Sequence, residues 1–468
     1  MTAAAIGLPA AALTGIVMTT GESMLVLAIP AAIPAGLVCM RWPIPAMGLL
    51  LLCTSAYGSL TALTPMPAGR LADATLASLW IGTMIGYIRS GRLRPVYFTP
   101  GLLMLIAYIA ISALAVISVS PPSSGLESFH LTAGHLSVVA LVALAPWGPT
   151  TYRGLGKAVL AVAVGVAAYC VFRYVTGSAP GETALARATV SGLPKSTELR
   201  FFGSFPTAQE LTVWAAGMLP FALALLLAWR GRWRWVAGAA IGLCLVALLA
   251  SDVRTGVVAA GAGLVVTTVL FLGSRAFPSG ARIGAGFTCI LLVVTLATTA
   301  YVTTISGSPT REDRLAALLN PSEDRNYQVR TQRWEFAWEE IKREPFGHGL
   351  GTAGTGSRSE EVLPVGPTVL DSSYLKVGLE QGIPVMALFG LTLLALLISL
   401  SWRSVVEPSP ANAAYTIGAA GTLIALIVLF YGSSYVESPS IIPAWVAVGL
   451  GVAVVAGAQS ESVDATKN

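Results

Sequence analysis

A few charged side chains stand where this apolar chain can least hide them. Arg330 and Arg333 fall in the run Asn326 to Glu344, and at a spacing of three they share one side of a helix. Arg200 lies in Glu198-Leu-Arg200-Phe-Phe-Gly-Ser-Phe205, and Arg254 in Ser251-Asp-Val-Arg254-Thr-Gly256. A guanidinium is never deprotonated, and its rigid donor fork grips phosphate oxygens two at a time. If Arg200, Arg254 and Arg330 converge, they suit a pyrophosphate leaving group, whose charge rises as its bond breaks. Plainer readings stand beside this one. Arg200 would snorkel to lipid headgroups, and Arg254 would be neutralised by Asp252.

Asp371 opens the stretch Asp371-Ser-Ser-Tyr-Leu-Lys-Val-Gly-Leu-Glu-Gln-Gly382. As a base it would take the proton of an attacking hydroxyl, a role worth about 10²–10⁴ in rate. As a helix N-cap it would only accept an amide hydrogen bond. The two roles can coexist. Supporting candidates are Tyr374 and Glu380 in the same stretch, Glu210 at the head of an apolar run, and His348 within Phe346-Gly-His-Gly-Leu-Gly351. Glu210 would position an arginine or face water. His130 and His135 are five apart, with no acidic or cysteine companion, and do not read as metal ligands. No metal and no cofactor are expected.

The elements that must position these groups are membrane spans. The 468 residues are 55% hydrophobic and only 11% charged, against about 25% charged in a soluble domain. The apolar residues come in blocks near the ~20 needed to cross a bilayer. The expectation is an all-α, polytopic membrane protein with about 12–14 transmembrane helices and one long extracytoplasmic loop carrying short helices. The blocks fall near 3–19, 23–40, 43–63, 72–88, 98–119, 131–147, 158–176, 206–229, 235–250, 255–273, 284–304, 383–402, 411–430 and 441–457. Between the last loop and its span, Pro384 is expected to separate a short surface helix at 372–381 from the crossing. In the loop, Trp334, Trp338 and Ile341 would form the apolar seam of a helix whose glutamates face water.

Short loops set the orientation. With a cytoplasmic N-terminus, the inner connections carry twelve Lys or Arg residues, from Arg41 to Arg403, and the short outer ones carry only Arg70 and Arg254. That is the positive-inside pattern. Both termini are then cytoplasmic, and the loops 177–205 and 305–382 face outward from the cytoplasmic membrane. The chain divides into N-terminal helices (1–176), helices with the first outer loop (177–304), the long loop (305–382), and C-terminal helices with a tail (383–468). No nucleotide sugar or ATP is available outside, so chemistry there needs a donor already activated on a membrane lipid. The net charge of +5 is explained by these loops and does not point to nucleic acid. The five cysteines all lie in apolar runs, as packing residues do.

The order Arg330-x-x-x-Trp334, Pro345-x-Gly347-x-Gly349, Asp371-Ser-Ser-Tyr-Leu, Glu380-x-Gly382 resembles the polar loop of the O-antigen ligase and polymerase family. The passage from Arg200 through Phe205 resembles that family's arginine-bearing segment before a helix, with Thr207 or Gln209 where asparagine is usual. The family's histidine position holds Asp371 here. The resemblance covers roughly residues 195–395. It implies a metal-independent membrane glycosyltransferase that moves an oligosaccharide from an undecaprenyl-pyrophosphate donor to a polysaccharide or glycolipid acceptor. Asp371 and Arg330 would be catalytic, and Arg200, Arg254, Arg330 and Arg333 would bind the pyrophosphate. Acceptor identity divides polymerase from ligase.

A transporter or flippase of lipid-linked oligosaccharides is the rival reading, since it too needs many spans and broken helices. It accounts less well for polar residues gathered in one outer loop. No Walker loop, dinucleotide-binding glycine pattern or Asp-x-Asp motif occurs in the sequence.

Overall fold

The structure, a computed structural model, describes residues 25–64, 68–90, 98–117, 122–189, 199–284, 286, 288, 290–294, 325–354, 370–432 and 434–465. Among them every regular element is a helix. A bilayer core offers no water to unpaired amides, so helices, which satisfy their own backbone, are what such apolar segments form. Ten helices are long and apolar enough to cross a membrane, or eleven with one bent pair. This is an all-α, polytopic membrane protein. The expected spans at 3–19 and, for the most part, 284–304 lie outside the described residues.

In chain order the first elements are α1 (Leu25–Arg41), α2 (Pro43–Ser55), α3 (Tyr57–Leu63), α4 (Ala68–Ser90) and α5 (Pro100–Ile117). The first two are bent by 108° where Pro43 opens α2, so the expected straight crossings at 23–40 and 43–63 are one broken unit. Next comes α6 (Pro122–Phe129), a π-helical turn (His130–Gly134) and α7 (His135–Leu144), which together form one crossing from Ser124. The span expected at 131–147 therefore begins earlier. Then follow α8 (Pro149–Thr176), α9 (Pro180–Thr189), α10 (Ala208–Ala228), α11 (Arg232–Ala250) and α12 (Arg254–Gly273). The last group is α13 (Arg325–Arg343), α14 (Ser373–Val406), α15 (Pro410–Gly432), two 3₁₀ turns (Tyr435–Glu437 and Pro439–Ile441) and α16 (Ile442–Ala465).

Three crossings form the centre. The apolar windows of α10, α15 and Pro439–Gly457 are 83%, 83% and 89% buried by protein, whereas those of α5, α11 and α14 are 33% or less. Peripheral helices thus leave a face uncovered by protein, and central ones leave little. Small residues let the centre close up. A Cβ added at Gly421 on α15 would stand 2.8 Å from the Gly263 carbonyl of α12 and 2.9 Å from Pro220 on α10. Pro220 interrupts the α10 ladder, and the Thr422 hydroxyl donates to the nearby Gly217 carbonyl at 2.9 Å. Part of the connection between α8 and α10 is pinned as well. The buried carboxylate of Glu182 on α9 accepts from Ser59 (2.5 Å), Tyr169 (2.5 Å) and the Ala179 amide (2.8 Å), and pairs with Arg173 at 3.2 Å.

Overpacking a closed helix contact costs about 1–3 kcal/mol. Gly421→Val is therefore expected to lower the melting temperature of the detergent-purified protein, while Gly390→Val, with nothing within 4 Å, leaves it unchanged. Equal melting temperatures for the two variants would mean that the three-helix contact is looser than described.

Candidate functional site

The site is built on a break in α14. Pro384 has no amide hydrogen and cannot return a bond to the Glu380 carbonyl four residues back. The chain breaks at Gly382, with φ 83° and ψ 175°. The groups that the break frees do not stay empty. The Glu380 carbonyl accepts from the Gly349 amide (2.9 Å), the Leu379 carbonyl from the His348 amide (2.8 Å), and the Ile383 amide donates to the Pro345 carbonyl (2.8 Å). The glycine-rich turn after α13 thus completes the backbone of the broken span. This explains two of the spaced glycines. A Cβ at Gly347 would lie 2.6 Å from the Glu380 carbonyl oxygen, and one at Gly382 would lie 2.6 Å from the Phe346 Cα. Both glycines also hold φ at 83°, a region open to glycine.

Residues 373–382 before the break are almost entirely buried. This corrects the expected surface helix at 372–381. Lys376 is completely buried and lies 2.5 Å from Glu380 Oε2 and 3.2 Å from Glu437 Oε1. Ser128 on α6 donates to Glu380 Oε2 (2.8 Å) and accepts from Lys376 Nζ (3.0 Å). The second carboxylate oxygen of Glu380 accepts from the Gly351 amide at 2.9 Å and, more weakly, the Ala353 amide at 3.4 Å. Gly354 closes over this cluster, and a Cβ there would meet the Glu437 carboxylate and Lys376 Cε at 2.8 Å. Glu380, a supporting residue by sequence, is the hub that ties turn, span and neighbours together. Lys376, Glu437 and Ser128 were not singled out by sequence. The signal for Lys376 was its spacing of four from Glu380 within an apolar stretch.

Asp371 stands at the outer edge of this plug. Arg333 Nη1 donates to Asp371 Oδ2 at 3.2 Å, and Trp334 Nε1 donates to the Asp371 carbonyl at 3.3 Å. Asp371 is not the helix cap. Ser372 holds the cap position without a side-chain cap bond, its hydroxyl going to the Phe430 carbonyl at 3.3 Å. Arg333, expected among the phosphate contacts, is matched to Asp371.

Arg200, Arg254 and Arg330 have no hydrogen bond or ion pair among the described residues, and Arg200 and Arg254 are exposed. No ion pair joins Asp252 to Arg254 among the described residues, and Asp252 is exposed in a turn with φ 51°, a rare value outside glycine. Two contacts bring Arg254 toward α13. Thr255 lies against Gly432 at the end of α15, and the adjacent Tyr431 meets Trp334 edge-on at 4.9 Å.

The other candidates are more dispersed. The Tyr374 hydroxyl turns to the Ile427 carbonyl at 3.3 Å and serves the α14–α15 contact. His348 is 3.9 Å from Glu340. Glu210 receives an amide cap from Thr207 (3.2 Å), and its Oε2 is buried with no hydrogen-bond partner among the described residues; no arginine pairs with it. On α13 the buried seam is Ala337 and Ile341 beside half-buried Trp334, while Trp338 is 43% exposed. A step of three from Trp334 leads to Ala337 and a further step of four to Ile341, and the buried side of the helix lies there and not at Trp338. Glu198 and residues 355–369 lie outside the described set.

Residues 239–390 match the sequence model of the O-antigen ligase family. The matched region holds Arg254, Arg330, Arg333, Asp371 and Glu380 and supports an O-antigen ligase-like family for this chain. A search of curated proteins returned no match.

Removing one partner of a buried ion pair costs about 3–5 kcal/mol, because the other charge stays buried. Lys376→Met is thus expected to destabilise the protein strongly, as read by thermal unfolding in detergent, and to open the 345–354 turn to proteolysis. Glu380→Gln, which keeps an acceptor for the Gly351 amide, should lose less. A Lys376→Met protein with unchanged melting temperature would show that the cluster is not a structural hub.

Proposed function

We propose that this protein is a membrane glycosyltransferase that moves or polymerises an oligosaccharide from an undecaprenyl-pyrophosphate donor on the outer face of the cytoplasmic membrane. The observation that supports this most is the contrast among the arginines. Arg333 is matched by Asp371, while Arg200, Arg254 and Arg330 have no ion pair among the described residues. Unmatched guanidinium groups at the edge of a buried scaffold are what a multiply charged phosphate ligand needs.

In this reading the acceptor oxygen attacks the anomeric carbon, and its proton passes to Asp371. Arg333 holds Oδ2 and leaves Oδ1 without a partner among the described residues. The anomeric carbon–oxygen bond to the lipid pyrophosphate breaks, and the electron pair stays on that oxygen. Arg200, Arg254 and Arg330 stabilise the charge that develops there. A second lipid-linked repeat unit as acceptor makes the protein a polymerase, and a different lipid or protein makes it a ligase. The charge asymmetry of the short loops supports an outward-facing site with both termini in the cytoplasm.

Purified protein given a lipid-pyrophosphate oligosaccharide and an acceptor is expected to release undecaprenyl pyrophosphate. Arg330→Ala should abolish release, and Arg330→Lys should restore only part of it, because a point charge replaces a fork. Asp371→Asn should bind donor and turn over at least about a hundredfold more slowly, the low end of base catalysis. Full turnover in both Arg330→Ala and Asp371→Asn would remove the proposed site. Orientation is checked separately. A cysteine at Phe346, 84% exposed, should react with an impermeant reagent from outside, and one at Gly231 should not.

A further inference from the structure

We propose that Asp73, His130 and His135 form a binding site for one divalent transition metal of the zinc type, clamping α4 to the π-turn crossing. One ring nitrogen of each histidine and one carboxylate oxygen of Asp73 lie within 4.8 Å of one another. His130 Nε2 is 2.7 Å from Asp73 Oδ1, and the two imidazoles meet edge-on with centroids 5.2 Å apart.

The backbone brings them together in a way that sequence spacing conceals. In an α-helix of 3.6 residues per turn, positions five apart point about 140° away from each other. Here residues 130–134 form a π turn, and the His135 amide donates to the His130 carbonyl. Closing that five-residue ring sets the second imidazole over the first. π turns inside α-helices occur often at functional sites. The third ligand comes from α4, which is distant in sequence. The expectation that these histidines lack an acidic companion is thereby corrected.

A second observation concerns the inner ligand. His135 is 2% exposed, its ring faces backbone of Leu131 and Val436, and its Nδ1 makes no well-formed hydrogen bond among the described residues. A buried ring nitrogen left so is costly. Asp73 and His130 are 17% and 14% exposed, which leaves a route of entry beside a buried inner ligand. Two imidazoles and one carboxylate suit zinc or a similar ion and do not suit calcium or magnesium, which take oxygen ligands. The set leaves a fourth position to water.

The metal would act through position. Ser128, two residues before His130, bonds both Lys376 and Glu380, and the π turn packs on Tyr435–Glu437. A clamp between α4 and this turn fixes the depth at which Ser128 and Glu437 meet Lys376.

The test uses full-length protein on an affinity tag without histidine, dialysed against zinc and freed of excess. Bound metal is measured by mass spectrometry, and cobalt replaces zinc for visible spectroscopy. About one ion per chain is expected in the wild type, and at least roughly tenfold less in Asp73→Asn and His130→Gln. His348→Gln, which changes the third and last histidine of the chain, should retain the ion. Zinc added to chelator-stripped wild type should raise its melting temperature and leave that of His130→Gln unchanged. Wild-type protein that holds no more metal than the Asp73→Asn/His130→Gln double variant would overturn the proposal. So would equal zinc-induced stabilisation of both, which needs no assumption about how well each variant accumulates.

Discussion

The burial of Lys376 governs much of this architecture. An ammonium group without water is tolerated only where opposite charge and hydrogen-bond acceptors surround it. The fold supplies two carboxylates and a serine from three separate parts of the chain: Glu380 one turn on, Glu437 after α15, and Ser128 on α6. Each partner must be delivered by its own element at hydrogen-bond distance. The cluster therefore specifies how α6, α14 and the Tyr435–Glu437 turn sit together, whether or not it adds net stability.

The second constraint is that broken backbone at membrane depth must be satisfied by protein. Pro384 and Gly382 create the break, and the turn 345–349 answers it with three backbone hydrogen bonds. The polar loop is thus a part of the α14 span, completed from outside, and Glu380 joins the two systems by holding Lys376 with one oxygen and the Gly351 amide with the other.

Much of this was legible in the sequence, and the gaps have physical causes. Block length announced the crossings, because bilayer thickness fixes helix length. The proline at 384 announced a break, since its backbone limits are local. What spacing could not reveal was which way the segment 372–381 faced. Asp-Ser-Ser before an apolar run reads as an exposed capped helix, yet Lys376 and Glu380 neutralise each other one turn apart and so go inside. Asp371 read as cap or base; Ser372 takes the cap position, and Arg333, 38 positions away, pairs with Asp371. His130 and His135 read as having no acidic companion because Asp73 is 57 positions away from His130, and one π turn changes which residues share a face.

Consider α13 as a machine part. Its C-terminal end is joined to α14 through the 345–349 turn, and its middle is held to Asp371 through Arg333 and Trp334. Both attachments are made to one short segment, 371–383, so helix and segment form a closed linkage with no free hinge between them. Arg330 is carried on that linkage as a jaw on a fixed frame. Its position relative to Asp371 is held by the backbone bonds of the 345–349 turn and by the Arg333 and Trp334 side chains. Under the proposed function, a charged ligand between them would be read against a fixed spacing, so long and short charged groups would be told apart by that frame.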